Sequence, residues 1–300
     1  MKNRRIITRM ARIIIEAAEA LLDQEIKVLD KGFVRLVDYM GGDERIVQAA
    51  RVSYGSGTKT YRQDRGLIHY LIRNWHTSPF EQVILTFHTK MPIFVARQWV
   101  RHRTARLNEI SGRYSVMKDD FYVPEPQHVS FQSESNKQGR GDTIPLDEAM
   151  KIIEQMETEQ RAAYASYEGM LEKGIARELA RASLPISLYT EWYWQIDLHN
   201  LFHFLRLRLD PHAQYEIRVF AEAMATCAKA VAPLAYEAFE EHVMGAVTFS
   251  KAEAQALTRL MAGQDSGLEG RAASMFEEKL KRLREAVPAE PADELTPPTT

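Results

Sequence analysis

Three stretches of this chain read as β-strands, and almost everything else with regular spacing reads as helix. Residues 33–39 alternate with period two between Gly32 and the Gly41-Gly42 break. Residues 83–90 and the aromatic-rich 186–196 are the other two. Helical patterns separate them in no βαβ order, so the expected class is α+β rather than a doubly wound or barrel α/β fold. Helices are predicted over 6–30, 43–50, 64–75, a segment entered at Pro92, 145–173, 175–182, 198–209, 212–230, 233–243, 251–262 and 270–287. Asp43 and Asp197 stand where N-caps belong, and Pro185 stops the 175–182 helix. Residues 131–144 read as a mobile polar loop, and the Pro-, Glu- and Thr-rich end from 288 reads as disordered. The organisation expected is an N-terminal helical extension over 1–30, a catalytic domain over 31–245, and peripheral helices with a disordered tail over 246–300.

Charge is concentrated in one place. Between Arg97 and Arg113 lie five arginines (97, 101, 103, 106 and 113) and His102 against a single acid, Glu109. Helix formers lead this run, and Asn108, Ser111 and Gly112 break it, as if a helix delivered guanidinium groups to a polar loop. One reading is a solvated helix face. The other is an anion site, because a guanidinium pairs bidentately with phosphate or carboxylate. Trp99 and Val100 interleave the charges, and Ser111-Gly112-Arg113 offers a hydroxyl, an approachable N–H and a guanidinium in a row, which favours a phosphate cradle.

The formal charge of −2 over 300 residues gives no general basic face, which argues against a nucleic-acid coat. No apolar run approaches the roughly 20 residues of a membrane span. The basic start is followed by Ile13-Ile14-Ile15 and then by acids, too short an apolar core for a signal peptide, so a cytoplasmic protein is expected, with an organellar transit peptide as the alternative. Cys227, the only cysteine, sits in an alanine-rich helical run and reads as a core thiol. The segment 54–58 is glycine-rich but lacks the features of a P-loop or a dinucleotide fingerprint. His199 and His203 share a helical face, but Asn200 stands where a zinc-protease helix carries glutamate and no third ligand is apparent, so no metal is expected. Arg206 and Arg208 suit a helix C-terminus on electrostatic grounds alone, and His76 at a Ser-Pro turn has a structural reading as well.

Arg101-His102-Arg103, seven residues and then Ser111-Gly112-Arg113-Tyr114-Ser115 resemble the signature of flavin-dependent thymidylate synthases. His76-Thr77-Ser78-Pro79-Phe80-Glu81, Leu184–Thr190, Leu205–Arg208 and His212–Ile217 are similar to further stretches of that family, in order, over roughly residues 33–240. The resemblance implies a helix-rich α+β domain with a small, mostly antiparallel sheet. It implies methylation of dUMP to dTMP, with methylenetetrahydrofolate as carbon donor, NADPH as reductant and tightly bound FAD, in a homotetramer whose sites are shared between subunits. It assigns Gln98, Trp99, Val100, Arg101, Glu109, Ile110, Ser111, Gly112, Arg113, Arg181 and Arg208 to dUMP. It assigns His76, Ser78, Arg101, His102, Arg103, Glu109, Asp197, Leu198, His199 and His203 to FAD, and to Arg208 the polarisation of the uracil. Members with Asn or Arg where this chain has Asp197, His199 and His203 would make contacts of a different kind there. Arg97 and Arg106 match no ligand role. Two rival readings are a nucleic-acid-binding module built on the arginine run and a flavoprotein that only oxidises NADPH.

Overall fold

Alternation along the strands gives one sheet a packed face and an open face. The computed structural model describes residues 13–52, 60–134 and 139–286. It contains strands β1 (Glu25–Val28), β2 (Gly32–Met40), β3 (Ile84–Pro92), β4 (Arg106–Glu109), β5 (Ser130–Gln132), β6 (Arg140–Thr143) and β7 (Tyr189–Asp197). Five of them form an antiparallel sheet in the order β1-β2-β3-β7-β4, and β5 and β6 pair as a separate hairpin. Leu85, Phe87, Thr89 and Met91 of β3 and Thr190, Trp192, Trp194 and Ile196 of β7 are buried, and their alternate neighbours are not, except at the paired ends Pro92 and Tyr189, where both faces are covered.

The helices are α1 (Glu16–Glu19), α2 (Asp43–Ala50), α3 (Tyr61–Arg73), α4 (Ile93–Trp99), α5 (Leu146–Glu172), α6 (Arg177–Ala180), α7 (Leu198–Arg208), α8 (Tyr215–Val231), α9 (Pro233–Phe239), α10 (Lys251–Met261) and α11 (Gly270–Ala286). Asp43 and Asp197 both work at helix ends, in different ways. The Asp197 carboxylate accepts from the Asn200 N–H at 2.9 Å and caps α7. Asp43, at the start of α2, instead reaches across to accept from the Leu234 and Ala235 N–H groups that open α9. Burial there pushes its pKa up to about 6.

The packed centre is aromatic. Trp99, at the last position of α4, is fully buried with ring centroids 5.4 Å from Trp192, 5.4 Å from Trp194, 5.1 Å from Phe204 and 5.8 Å from Phe220. Such ring pairs each add about 0.5–1.5 kcal/mol beyond the area they bury. This cluster fixes the end of α4 against β7, α7 and α8, and so fixes where the arginine-rich segment leaves the core. Cys227 lies fully buried in α8, and burial pushes its thiol up to about 12.

Four expectations need correction. The 6–30 helix is a single turn, α1, within the described residues. The chain then runs as β1, turns through Leu29 (φ 59°) and returns as β2, with Glu25 opposite Arg35 and Val28 opposite Gly32. A side chain at Gly32 would meet the Lys90 and Val28 carbonyl oxygens at 2.7 Å, so only glycine fits this hairpin. The arginine run is not one helix. α4 ends at Trp99, and Arg106–Glu109 is strand β4, because the open edge of β7 supplies partners for backbone groups that a helix would have used internally. The 131–144 loop contains the β5–β6 hairpin. The 175–182 helix shrinks to α6 and a 3-10 turn over Arg181–Ser183. The glycine-rich 54–58 segment and the C-terminal tail from 288 lie outside the described residues.

The chain divides into two compact units, Met1–Met244 and Gly245–Thr300. The second packs α10 on α11 through Ala256, Phe276 and Leu280. The Lys279 ammonium lies 2.7 Å from both Glu253 carboxylate oxygens, which helps hold that carboxyl down to about 2.

Candidate active site

Three clusters gather the residues that the sequence singled out. The first sits where α4 and α7 end. The Arg208 Nε donates to His102 Nε2 at 3.1 Å, across 106 residues of sequence. The His102 ring lies edge-on to Phe204 at 4.8 Å and 6.1 Å from His203. A nitrogen that accepts from a guanidinium cannot also carry a proton. Burial first, then the charges of Arg208 and His203, hold the His102 pKa down to about 4, so the ring is neutral. Burial also lowers the pKa of Arg208.

The second cluster lies where the turn after α3 faces α7. His76, Thr77, His199, His203 and Arg206 line a cavity of about 80 Å³ together with Trp75 and apolar side chains. His76 is exposed, and its ring meets Tyr70 edge-on at 5.7 Å. Ser78 is exposed beside the buried Phe80 that anchors the turn. Asp197 and Leu198 have structural work here. The second Asp197 oxygen accepts from the Asn200 side chain at 2.7 Å, and Leu198 is fully buried with its N–H on the Val83 carbonyl. The Trp99 and Leu198 side chains are therefore closed to a ligand, which leaves only their main chain to offer. Among the described residues no group of three or more His, Cys, Asp and Glu side chains is placed to hold a metal ion.

The third cluster is the loop after β4. The Glu109 carboxylate accepts from the Thr190 hydroxyl at 2.6 Å, and the Ile110 N–H donates to the Glu191 carbonyl at 2.9 Å. The Ser111 carbonyl accepts the Tyr114 and Ser115 N–H groups, and its hydroxyl oxygen accepts from the Arg113 N–H at 3.3 Å. A Cβ at Gly112 would stand 2.9 Å from the Met117 sulfur and 3.1 Å from Arg181 Cδ, so glycine is what lets Arg181 lie against this loop. Arg113 makes an exposed ion pair with Glu178 at 3.3 Å. Val100, Arg101, Arg103 and Arg181 are exposed.

Sequence reasoning missed one buried network. The Gln98 side-chain amide donates to Gln214 Oε1, and Gln214 Nε2 donates to Glu216 at 2.8 Å. Glu216 is 1% exposed and also accepts from Tyr122 at 2.9 Å and from Arg140 of β6. Burial alone would raise the Glu216 pKa; the hydrogen bond and charge of Arg140 outweigh it and hold the carboxyl below its ordinary range. Gln214 and Glu216 fall in the His212–Ile217 stretch, which was a signal. Arg140 sits in what reads as a featureless loop.

Residues 35–234 match the family model described as "Thymidylate synthase complementing protein", and residues 247–286 match "Thymidylate synthase ThyX C-terminal domain". The chain belongs to the flavin-dependent thymidylate synthase family. A flavin-dependent thymidylate synthase of Treponema denticola is 61% identical over 265 residues, covering 88% of this chain and 100% of its own length. The Treponema pallidum enzyme of that name is 57% identical, over 91% of this chain and 90% of its own. Among solved structures, a UMP/dUMP methylase from Streptomyces cacaoi bound with 5-Br dUMP superposes with a TM-score of 0.66 at 34% identity. That match covers 72% of this chain and 97% of the methylase.

Proposed function

We propose that the protein methylates dUMP at C5 to give dTMP, with methylenetetrahydrofolate as carbon donor, NADPH as reductant and FAD as bound cofactor. Catalysis belongs to residues 31–245 of a cytoplasmic homotetramer. The observation that carries this reading is the Arg208–His102 pair beside a chain whose only thiol is sealed in the core. C5 of uracil is a weak nucleophile, and a buried thiol with its pKa near 12 cannot activate it by adding at C6. Activation therefore falls to charge. A partly desolvated guanidinium stabilises the negative charge that spreads over N3 and the carbonyl oxygens as C5 attacks. Neutral His102 takes one Arg208 N–H as acceptor, fixes the plane of the fork and leaves its other donors for the base.

The loop cluster holds the phosphate, with Ser111 and Gly112 donating and Arg113 and Arg181 supplying charge. Gln98 and Arg101 complete the nucleotide contacts with Glu109, Ile110, Val100 and the Trp99 main chain. The donor set near α7 suits FAD. Arg101, Arg103 and His102 suit its diphosphate, while His76, Ser78, His199 and His203, with the Asp197–Leu198 main chain and Glu109, border its rings. When bound, the flavin supplies the redox chemistry between NADPH and the one-carbon unit. Sharing of sites between subunits fits the exposure of the loop cluster, whose guanidinium groups face outward.

Release of tritium from C5-labelled dUMP, with FAD, NADPH and methylenetetrahydrofolate supplied, tests the reading directly. Release that requires all three supports it. Folded protein that takes up FAD and oxidises NADPH but releases no tritium overturns it.

A further inference from the structure

Helix α3 ends in a motif that normally demands glycine. The Trp75 N–H donates to the Ile72 carbonyl at 3.1 Å and the His76 N–H to the Leu71 carbonyl at 2.9 Å, which is the Schellman pattern of a helix C-terminus. The residue at Trp75 then has to be left-handed, and its φ is 60°. Glycine adopts that conformation freely, whereas a bulky aromatic does not. The indole gains little from the protein in return, because the residue is 68% exposed. The other three tryptophans, Trp99, Trp192 and Trp194, are at most 1% exposed.

This strained, open indole borders the cavity that holds His76, His199 and His203. At about 80 Å³ the cavity is far below the several hundred Å³ that encloses a drug-sized ligand. A planar ring system would therefore lie across the mouth rather than inside it, and there Trp75 offers the broadest flat apolar face. Backbone strain at a ligand-binding site is retained where it serves the ligand.

We propose that Trp75 is a stacking surface for a planar heteroaromatic ring held at this mouth, either the isoalloxazine of the flavin or the pterin of the folate co-substrate. The inference rests on the proposed function and adds to it a residue that neither the motifs nor the comparisons single out. A second aromatic, Tyr70, already meets His76 edge-on, whereas the exposed Trp75 indole keeps its face open.

The test compares wild type with Trp75→Gly and Trp75→Phe in FAD titrations, folate kinetics and thermal melts. Glycine relieves the left-handed strain, so Trp75→Gly should melt no lower than wild type. The same variant should lose about ten-fold in binding of one ring, the size of a good aromatic stack, while Trp75→Phe stays near wild type. A raised FAD Kd assigns the flavin; an unchanged FAD Kd with a raised KM for methylenetetrahydrofolate assigns the pterin. If both stay within two-fold of wild type, or if Trp75→Gly melts several degrees lower, the indole serves packing and the inference is wrong. Wild-type protein that binds no FAD would instead overturn the proposed function itself. Labelling with 5-fluorotryptophan gives a direct check: the ¹⁹F signal absent from Trp75→Phe should shift on addition of the assigned ligand, and an unmoved signal counts against stacking.

Discussion

The α4–α7 junction and the loop after β4 carry the same chemistry, arginine beside polar groups, on opposite kinds of foundation. At the junction, Arg208 hydrogen-bonds a half-buried histidine whose neighbours Phe204 and Trp99 belong to the aromatic centre. At the loop, Arg113 makes its exposed ion pair with Glu178, and Arg181, from the turn after α6, lies exposed beside Gly112, while backbone hydrogen bonds around Ser111 hold the loop itself. A desolvated, oriented guanidinium is suited to charge that appears only in the transition state. Exposed, adaptable guanidinium groups are suited to a phosphate that is equally charged before and after reaction, which contributes to binding and not to rate. The two regions should therefore separate cleanly in kinetics.

The largest effect expected is at the junction. Arg208→Ala should lower kcat by about 10²–10³-fold, the usual loss of one preorganised charge-stabilising donor, with little change in melting temperature. The measurement is tritium release at saturating dUMP. A loss confined to KM would erase the distinction between the two regions.

Beneath the junction, the Gln98–Gln214–Glu216 network sets a second expectation. Glu216→Ala leaves Tyr122 and Arg140 without their carboxylate partner. Because the Arg140 side chain is 36% exposed and can turn to water, the loss of stability should be about 2–3 kcal/mol, below the range for a fully buried pair. Urea unfolding reads this directly, and an unchanged midpoint would show that the network does not brace α8.

Beside the loop, Arg181→Ala should raise the KM for dUMP by about ten- to thirty-fold, the value of one charged hydrogen bond, with kcat nearly constant. Gly112→Ala should act in the same direction, since its Cβ would displace Arg181 or Met117. If kcat falls as steeply as for Arg208→Ala, the loop takes part in more than holding phosphate.

How legible these regions were differs for the same physical reason. Strands β2, β3 and β7, helices α5 and α7 and the Asp197 cap follow from local periodicity and local side-chain chemistry. β1 and β4 do not, because each is decided by a distant partner: charged, helix-compatible residues at 25–28 and 106–109 are recruited by the free edges of β2 and β7. The site behaves likewise. The identities of the loop residues can be read from a continuous run, whereas the His102–Arg208 and Arg140–Glu216 pairings join residues 106 and 76 positions apart and carry no local signature. Trp75 reads from its spacing as part of the apolar face of the 64–75 helix, but the helix ends at Arg73 and Trp75 is left-handed and exposed, a backbone property that side-chain patterns do not show.

The smallest effect expected is a pH dependence that separates the junction from the loop. The His102 pKa lies at about 4 in the folded protein and near 6.5 when unfolded, so between those values the unfolded chain binds more protons. The stability associated with neutral His102 is complete above pH 6.5, declines as pH falls through that window, and changes no further below about 4. Protonation would also remove the acceptor that holds Arg208, so activity should weaken over the lower part of the same window. Comparing melts of wild type and His102→Phe from pH 7 to pH 4 isolates this contribution from all other titrating groups. The difference between the two should shift against wild type as pH falls. Arg181→Ala, beside the loop, should track wild type throughout. A pH-independent difference for His102→Phe would mean that the ring is not held neutral by its surroundings, and the contrast between a rooted guanidinium and a free one would lose its electrostatic basis.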